Sequence, residues 1–346
     1  MKPNNRPKPS AQKTITDVAK RADVSISTVS RVLNHSAPVS FELEAKVKTA
    51  IAEMRYRPQT AARTLAGQRT NTIGLVFAEI GPDFYPVMIP SIEKEARLNG
   101  YNLLISVGNN PLQFSDEIPF TLGDHYTDGL LIFPASLPAE EIRRQFLNDF
   151  PMVLIQQTPP NGLQIPHLVV KNKNIACKMV DHLIEVHGCR RIAFLAGLNE
   201  HEDAAQREMG YRQSLAAHGI LFDPELRTEG YFLRKESYEA VKLWLQRGVE
   251  FDAIFACDDF SAIGALSALN QAGIRVPEDV ALVGFDDIEI SRYLPPPLTT
   301  VAIPIEELGR IAVQQLLRLI HTGQADLVTE VETELVVRRS CGCEYK

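Results

Sequence analysis

Thr14-Ile15-Thr16-Asp17-Val18-Ala19, then Val24-Ser25, then Thr28-Val29-Ser30-Arg31-Val32-Leu33-Asn34 is the stretch on which the reading of this chain turns. Ile15, Val18, Ala19 and Ala22 recur at helical spacing. Thr16, followed by Asp17 near the positive helix end, is the expected N-cap. A break at Asp23-Val24-Ser25 precedes a second helix from about Ile26 to Asn34, with Val29, Val32 and Leu33 turned inward. Ser40 is expected to cap a third helix reaching Met54, with Leu43, Val47, Ala50, Ile51 and Met54 as its apolar face. Two short helices joined by a tight turn and braced by a third form a helix-turn-helix unit. On periodicity alone the stretch is equally a plain three-helix bundle.

Its chemistry favours the first reading. A helix that reads base edges from the major groove needs short polar groups at its start and a long donor one turn on. Ser25, Ile26 and Ser27 open the second helix, and Arg31 follows with the reach for guanine O6 and N7. Thr14, Ser25, Thr28, Ser30 and Asn34 are candidate phosphate contacts, which position a protein on DNA without specifying sequence. The charge is distributed to match. The first 70 residues hold 13 Lys and Arg against 5 Asp and Glu, whereas the remaining 276 hold 23 against 38. A basic end on a chain of net charge −7 points to that end alone meeting a polyanion.

From Asn71 the pattern changes to apolar runs alternating with amphipathic stretches. Strands are expected at Thr72–Phe77, Asn102–Val107, Gly129–Pro134, Met152–Gln156, Arg191–Ala196, Ala253–Ala256 and Val280–Gly284, with helices between them. Continuous apolar strands with crossover helices imply parallel sheets covered on both faces. Two such blocks predict two doubly wound lobes. Ligands of such sheets sit beyond the carboxyl ends of the strands. Phe84, Tyr85, Gln156, Gln157, Arg207, Phe232, Asp258, Asp259, Asp286 and Asp287 fall there and are the candidate ligand contacts. Carboxylates and a guanidinium serve vicinal hydroxyls, and aromatic faces stack on the C–H face of a sugar ring.

The ordered run of motifs quoted above continues with Val39-Ser40, Tyr56-Arg57-Pro58 and Ala62-Arg63-Thr64-Leu65-Ala66-Gly67. Together these residues resemble the lactose-repressor/galactose-repressor (LacI/GalR) family of transcriptional regulators, and the rest of the chain is similar to that family's effector domain. The resemblance implies an α/β protein: a three-helix DNA-binding head, a hinge helix, then a two-lobed periplasmic-binding-protein-like domain of doubly wound parallel sheets. It implies the helix-turn-helix domain over 14–58 and a hinge helix and linker over 59–70, after the Lys-, Pro- and Asn-rich stretch 1–13, whose composition reads as a flexible arm. The effector and dimerisation domain would cover 71–346, with lobe 1 at about 71–168 and 302–326 and lobe 2 at about 169–301 and 327–346. On DNA, Ile26 and Ser27 would be the variable readers and Arg31 the common base contact. Ile15, Tyr56, Gln59 and Ala62 would join them, and Leu65 would wedge between base pairs in the minor groove. Arg207, Phe232, Phe84, Asp258 and Asp286 match effector-contacting positions, whereas Asp259 matches the structural acid of the following helix start. The sequence departs from the family at Asp23, usually Gly; at Leu43-Glu44, usually Thr-Arg; at Gln59, commonly Asn; at Gln156, often Asp; and at Lys171-Asn172, often Asp-Asn.

The expected function is a repressor, not an enzyme, that binds a near-palindromic DNA operator as a homodimer under control of a sugar or sugar derivative, in the cytoplasm. No apolar run approaches the ~20 residues of a membrane helix, and Met1–Lys13 has no apolar segment of a secretory signal. A transporter-type solute-binding protein would share the two lobes but lack the basic head. A sugar-modifying enzyme would need a nucleophile and base, and no Gly-x-Ser-x-Gly, Walker or dinucleotide motif appears. No cofactor and no metal are expected: Cys341-Gly342-Cys343 lacks the second pair of ligands of a closed zinc site. His182, His187 and Cys189 lack zinc-helix spacing and read as a helix end. The five cysteines read as reduced thiols.

Overall fold

The capping box of the first helix sets the start of the fold. In the computed structural model, which describes residues 13–34, 37–54, 56, 69–78, 84–107, 122, 126–198 and 201–344, Thr14 rather than Thr16 is the N-cap of α1 (Ile15–Ala22). Asp17 Nα–H donates to Thr14 Oγ1 at 3.3 Å while the Thr14 backbone N–H donates to Asp17 Oδ2 at 2.8 Å. Thr14 wins because an acid sits three residues after it to return the bond; Thr16 has no such partner at Ala19. Asp23 ends the helix at φ 53°, ψ 52°, the left-handed conformation that glycine adopts without strain and that Asp tolerates better than most side chains. α2 (Ile26–Asn34) and α3 (Phe41–Met54) complete the head. Val18, Ala19, Ala22, Val29, Val32, Val47, Ala50 and Tyr56 form its buried core. Lys13 Nζ donates to the Met54 carbonyl at 2.9 Å, closing the C-terminal end of α3.

The chain separates into two compact units, Met1–Thr70 and Asn71–Lys346. The second is built on two parallel sheets. Its elements run β1 (Thr72–Phe77), α4 (Phe84–Leu98), β2 (Asn102–Val107), β3 (Gly129–Ile132), α5 (Ala139–Leu147), β4 (Met152–Ile155), β5 (His167–Val170), α6 (Asn172–His187) and β6 (Ile192–Ala196). They continue with α7 (Glu202–Ala217), β7 (Arg227–Glu229), α8 (Arg234–Gln246), β8 (Ala253–Ala256), α9 (Asp259–Gln271), β9 (Ala281–Val283) and β10 (Thr300–Ala302). α10 (Ile305–Thr322), β11 (Val328–Val331) and β12 (Glu334–Val336) follow. The first sheet has the order β11-β5-β4-β3-β1-β2, the second β7-β6-β8-β9, and β10 and β12 form a two-stranded antiparallel ribbon. β3, β4, β6 and β8 are buried along their whole length, as parallel strands covered by helices on both faces must be. Helices pack in pairs at glycines: a Cβ at Gly210 of α7 would lie 2.3 Å from the Lys173 carbonyl oxygen, and one at Gly264 of α9 2.2 Å from the Arg234 carbonyl oxygen.

Two expectations about the lobes change. Val328–Val331 joins the first sheet beside β5, in the register Val328↔His167 to Val331↔Val170, instead of finishing the second lobe. β5 likewise lies wholly in the first sheet, so the crossing falls at Lys171 and not at 169. The physical reason is backbone pairing and burial: β11 pairs with β5 over four residues, the His167 N–H donates to the Leu327 carbonyl at 3.0 Å, and Val331 is buried in the core. The exposed pairs of Lys171 Nζ with Glu330 at 2.9 Å and Glu332 at 3.3 Å add little. The chain crosses back only after β11, and β12 then pairs with β10 in the register Thr300↔Val336.

Candidate functional site

In the head, Ser25 opens α2. Its hydroxyl accepts the Thr28 backbone N–H at 3.1 Å and lies 2.7 Å from Ser27 Oγ and 2.8 Å from Thr28 Oγ1. The Ser25, Ser27 and Thr28 hydroxyls are therefore held together at the positive end of a helix, a geometry that favours an anion. Val29 and Val32 are buried, and Ile26 (48 % exposed), Ser27 and Arg31 stand on the outward side. Ile15 packs partly against the head core and Tyr56 is buried in it, where burial pushes its phenol above the usual range. Ser30 is half-buried on α2 and Thr14 is exposed. The Asn34 side chain, and Gln59, Ala62 and Leu65, lie outside the described residues.

In the second unit the site grows from the carboxyl ends of the parallel strands. There, non-glycine residues adopt positive φ: Gln156 (55°) after β4, Tyr231 (57°) and Phe232 (61°) after β7, and Asp286 (105°) and Asp287 (53°) after β9. Such backbone strain concentrates where side chains are aimed for function. Arg207, buried on α7, is fixed at all three nitrogens. Nε donates to Asn172 Oδ1 at 2.9 Å, Nη1 to the Cys257 carbonyl at 2.6 Å and Nη2 to Asp286 Oδ1 at 3.1 Å. Its guanidinium carbon lies 3.7 Å from the centre of the Phe285 ring. Asn172 Nδ2 in turn donates to Asp203 Oδ1 at 2.8 Å. Asp258 caps α9 by accepting the Ser261 N–H at 2.9 Å.

One cation thus serves three buried carboxylates. Burial, opposed by the Arg207 charge, pushes Asp203 up to about 7. Burial, reinforced by the charge of Asp286, pushes Asp258 up to about 6. Asp286 is also raised, because burial outweighs the guanidinium beside it. Asp259 behaves as the structural acid that the resemblance implied: it accepts from Ile288 N–H at 3.0 Å, Ser291 Oγ at 2.6 Å and Thr300 Oγ1 at 2.6 Å. Phe232 stacks where Gly197 leaves room, since a Cβ there would come within 2.2 Å of the ring. The His201 ring lies at 75° to the same ring, 5.3 Å between centroids. His201 Nδ1 is shielded from solvent without a hydrogen-bond partner, and burial followed by the Arg207 charge lowers the imidazole to about 4.

The structure therefore joins Arg207 and Asp286 directly and sets Asp258 within their field. It holds Phe232 against His201. Gln156 is buried at the end of β4 in the first sheet, and the side chains of Phe84 and Tyr85 lie outside the described residues. Asp203, His201 and Asn172 were not among the expected contacts. The spacing of Asp203 and Arg207, one helical turn apart, was the available signal.

Comparison with known proteins fits both units. Residues 14–59 match the model described as bacterial regulatory proteins, lacI family, and residues 180–341 match the periplasmic binding protein-like domain. The transcriptional regulator RegA of Clostridium saccharobutylicum is 32 % identical, over 94 % of this chain and 98 % of its own. The chain belongs to the LacI/GalR family. The regulator GalR of Escherichia coli strain K12 is 33 % identical over 94 % of each chain. Among solved structures, a complex of the transcriptional regulator CelR with cellobiose covers 95 % of this chain and 99 % of its own, at 31 % identity and TM-score 0.69. The lac repressor dimer bound to operator and the anti-inducer ONPF covers the same shares at 26 % identity and TM-score 0.80. The chain is accordingly a DNA-binding transcriptional regulator, and the reading as a transporter's solute-binding protein falls. Among the described residues, no helix is long and apolar enough to cross a membrane.

Proposed function

We propose that the chain is a cytoplasmic repressor, without enzymatic activity, that binds a near-palindromic operator as a homodimer. A neutral sugar or sugar derivative bound around Arg207 sets its grip. The observation that carries the ligand class is the excess of carboxyls: Asp203, Asp258 and Asp286 lie in the field of one guanidinium, which bonds only Asp286 among them and is already bonded on its other sides. Hydroxyl donors satisfy such a site, whereas a carboxylate or phosphate ligand would add charge of the wrong sign. That argument sets sugar acids and sugar phosphates behind neutral sugars. Phe232 would supply the stacking face, and Phe84, Tyr85 and Gln156 would close the site from the first lobe. On DNA, Thr14, Ser25, Thr28, Ser30 and Asn34 would hold phosphates and Ile26, Ser27 and Arg31 would read bases. Ile15 and Tyr56 would support them from the core. Gln59, Ala62 and Leu65 rest on the family resemblance.

The test pairs two measurements on the full chain. Thermal-shift screening against neutral sugars and their acid and phosphate derivatives should yield a neutral ligand. That ligand should change affinity for duplexes selected from the host genome. A chain that prefers no duplex, with and without every hit, would refute the regulator reading. A hit confined to anionic sugars would refute the ligand class alone.

The same cluster gives a signed pH dependence. A sugar hydroxyl that donates to Asp258 needs the carboxylate ionised. With the group raised to about 6, binding should weaken about tenfold between pH 8 and pH 5 for one proton taken up. Asp258→Asn should flatten this profile in calorimetric titrations. The ligand-free fold should respond in the opposite direction. Carboxyls raised above their unfolded values contribute stability at low pH that is lost as pH rises through about 6 and about 7. A ligand affinity independent of pH would remove Asp258 from the contact set.

A further inference from the structure

Two sequence features that each lack half a site meet in the fold. His182 and His187 lie on the last turns of α6, and Cys341 and Cys343 lie at the C-terminal end, Cys341 closing the short helical turn Arg339–Cys341. The four donor atoms all fall within 4.8 Å of one another. We propose that His182, His187, Cys341 and Cys343 form a structural zinc site that clamps the C-terminal segment to α6.

The distances carry the assignment. His182 Nε2 lies 3.5 Å from Cys341 Sγ and 3.7 Å from Cys343 Sγ, and Cys343 Sγ lies 3.4 Å from His187 Nε2. Zinc bonds of ~2.3 Å to sulfur and ~2.0 Å to nitrogen, arranged as a tetrahedron, set the N···S edges at about 3.5–3.6 Å. With the thiols protonated, Cys341 Sγ–H donates to the Arg338 carbonyl at 3.3 Å and the remaining contacts are shared between Cys343 and the two imidazoles. With both thiols ionised these weak S–H hydrogen bonds are given up. A cation at the centre serves all four ligands at once.

The backbone is shaped to the same end. Gly342 adopts φ 107°, and a Cβ there would stand 3.1 Å from His187 Nδ1. The Cys-Gly-Cys turn therefore wraps the imidazole in a conformation that a larger residue would strain. Gly188, also at positive φ, ends α6 immediately after His187 and provides the C-cap, so the histidines are not needed there. Cys189, the neighbour expected from sequence to cluster with the histidines, is not among the four. Cys341 is buried while the other three ligands are half-buried, which leaves a path for metal entry. Two sulfurs and two nitrogens within 4.8 Å of one another favour zinc over hard cations, and four protein ligands leave no open position for catalysis. Cys341 follows Ser340, whose hydroxyl accepts the Thr299 N–H at 2.8 Å and donates to the Leu282 carbonyl at 2.5 Å. The metal would thus fasten to α6 a segment already stitched to β9.

The test uses the untagged full chain, purified reduced, loaded with zinc and freed of excess. Elemental analysis should give about one zinc per chain. Cys343→Ser and His187→Gln, at half-buried positions, should each retain about a tenth of that or less. With cobalt(II) in place of zinc, the wild-type protein should show the strong visible bands of tetrahedral cobalt and a thiolate charge-transfer band in the near ultraviolet. Titrating the thiols of folded wild-type protein with a mercurial should release the metal in step, a readout that holds even if a variant fails to fold. A folded, reduced wild-type chain that retains no zinc overturns the proposal. So does full zinc content in both variants, or a Cys341–Cys343 disulfide that persists under reducing conditions.

Discussion

Arg207→Ala is expected to abolish the ligand response and to cost about 3–5 kcal/mol of stability at pH 7.5, the usual penalty for removing one partner of a buried ion pair. The removal leaves Asp286 Oδ1, Asn172 Oδ1 and the Cys257 carbonyl without their donor, all in a region closed to solvent. Among the described residues it also removes the one positive charge that lowers the proton affinities of Asp203, Asp258 and Asp286. The loss should therefore shrink toward pH 5, where the carboxyls take up protons and their mutual repulsion falls. Arg207→Lys should not restore the response, because an ammonium cannot fill three divergent acceptors from a planar fork. Urea unfolding at the two pH values, beside ligand titration, separates the effects. A variant within about 1 kcal/mol of wild type at pH 7.5, still responsive to ligand, would show that Arg207 is neither keystone nor contact.

That cluster also marks how far the sequence could be read. Arg207, Asp258 and Asp286 were visible because they follow the strand ends or open the helices of a doubly wound sheet, and the topology alone says that such ends face ligand. Asp203 and His201 were not, since an acid in a first helical turn is ordinary dipole chemistry and a lone His carries no pattern. The head's three helices were legible because Val18, Val29, Val32, Val47 and Ala50 keep a helical period on one face. The N-cap moved from Thr16 to Thr14 because a reciprocal partner at Asp17 decides between two threonines. β5 was missed for a different reason. It has four residues, alternately buried, directly after a proline, and presents no long apolar run. The sheet that β11 joins depends on its pairing with β5, between residues some 160 positions apart. The two His and two Cys of the clamp suffered likewise: each pair is incomplete until the chain folds back.

Arg31→Ala, the second large effect, is expected on the other unit and should leave ligand binding and fold unchanged. Arg31 is exposed on α2, past Ile26 and Ser27, and its side chain is not part of the head core. A bidentate contact to guanine contributes about 1–3 kcal/mol of discrimination. Two heads on a near-palindrome double that, so operator affinity should fall by about 2–6 kcal/mol, roughly thirty-fold to ten-thousand-fold. The form of the loss matters as much as its size. If Arg31 reads a base, discrimination should relax at one symmetry-related pair of positions, while affinity for unrelated duplex changes little. If it holds a phosphate, affinity should fall about equally for every sequence and the salt dependence should flatten by about one ion per head. Binding titrations at two salt concentrations, against the operator and against duplexes altered at single positions, distinguish the two. Uniform loss with a flattened salt slope would leave Ile26 and Ser27 as the remaining readers and turn Arg31 into an anchor.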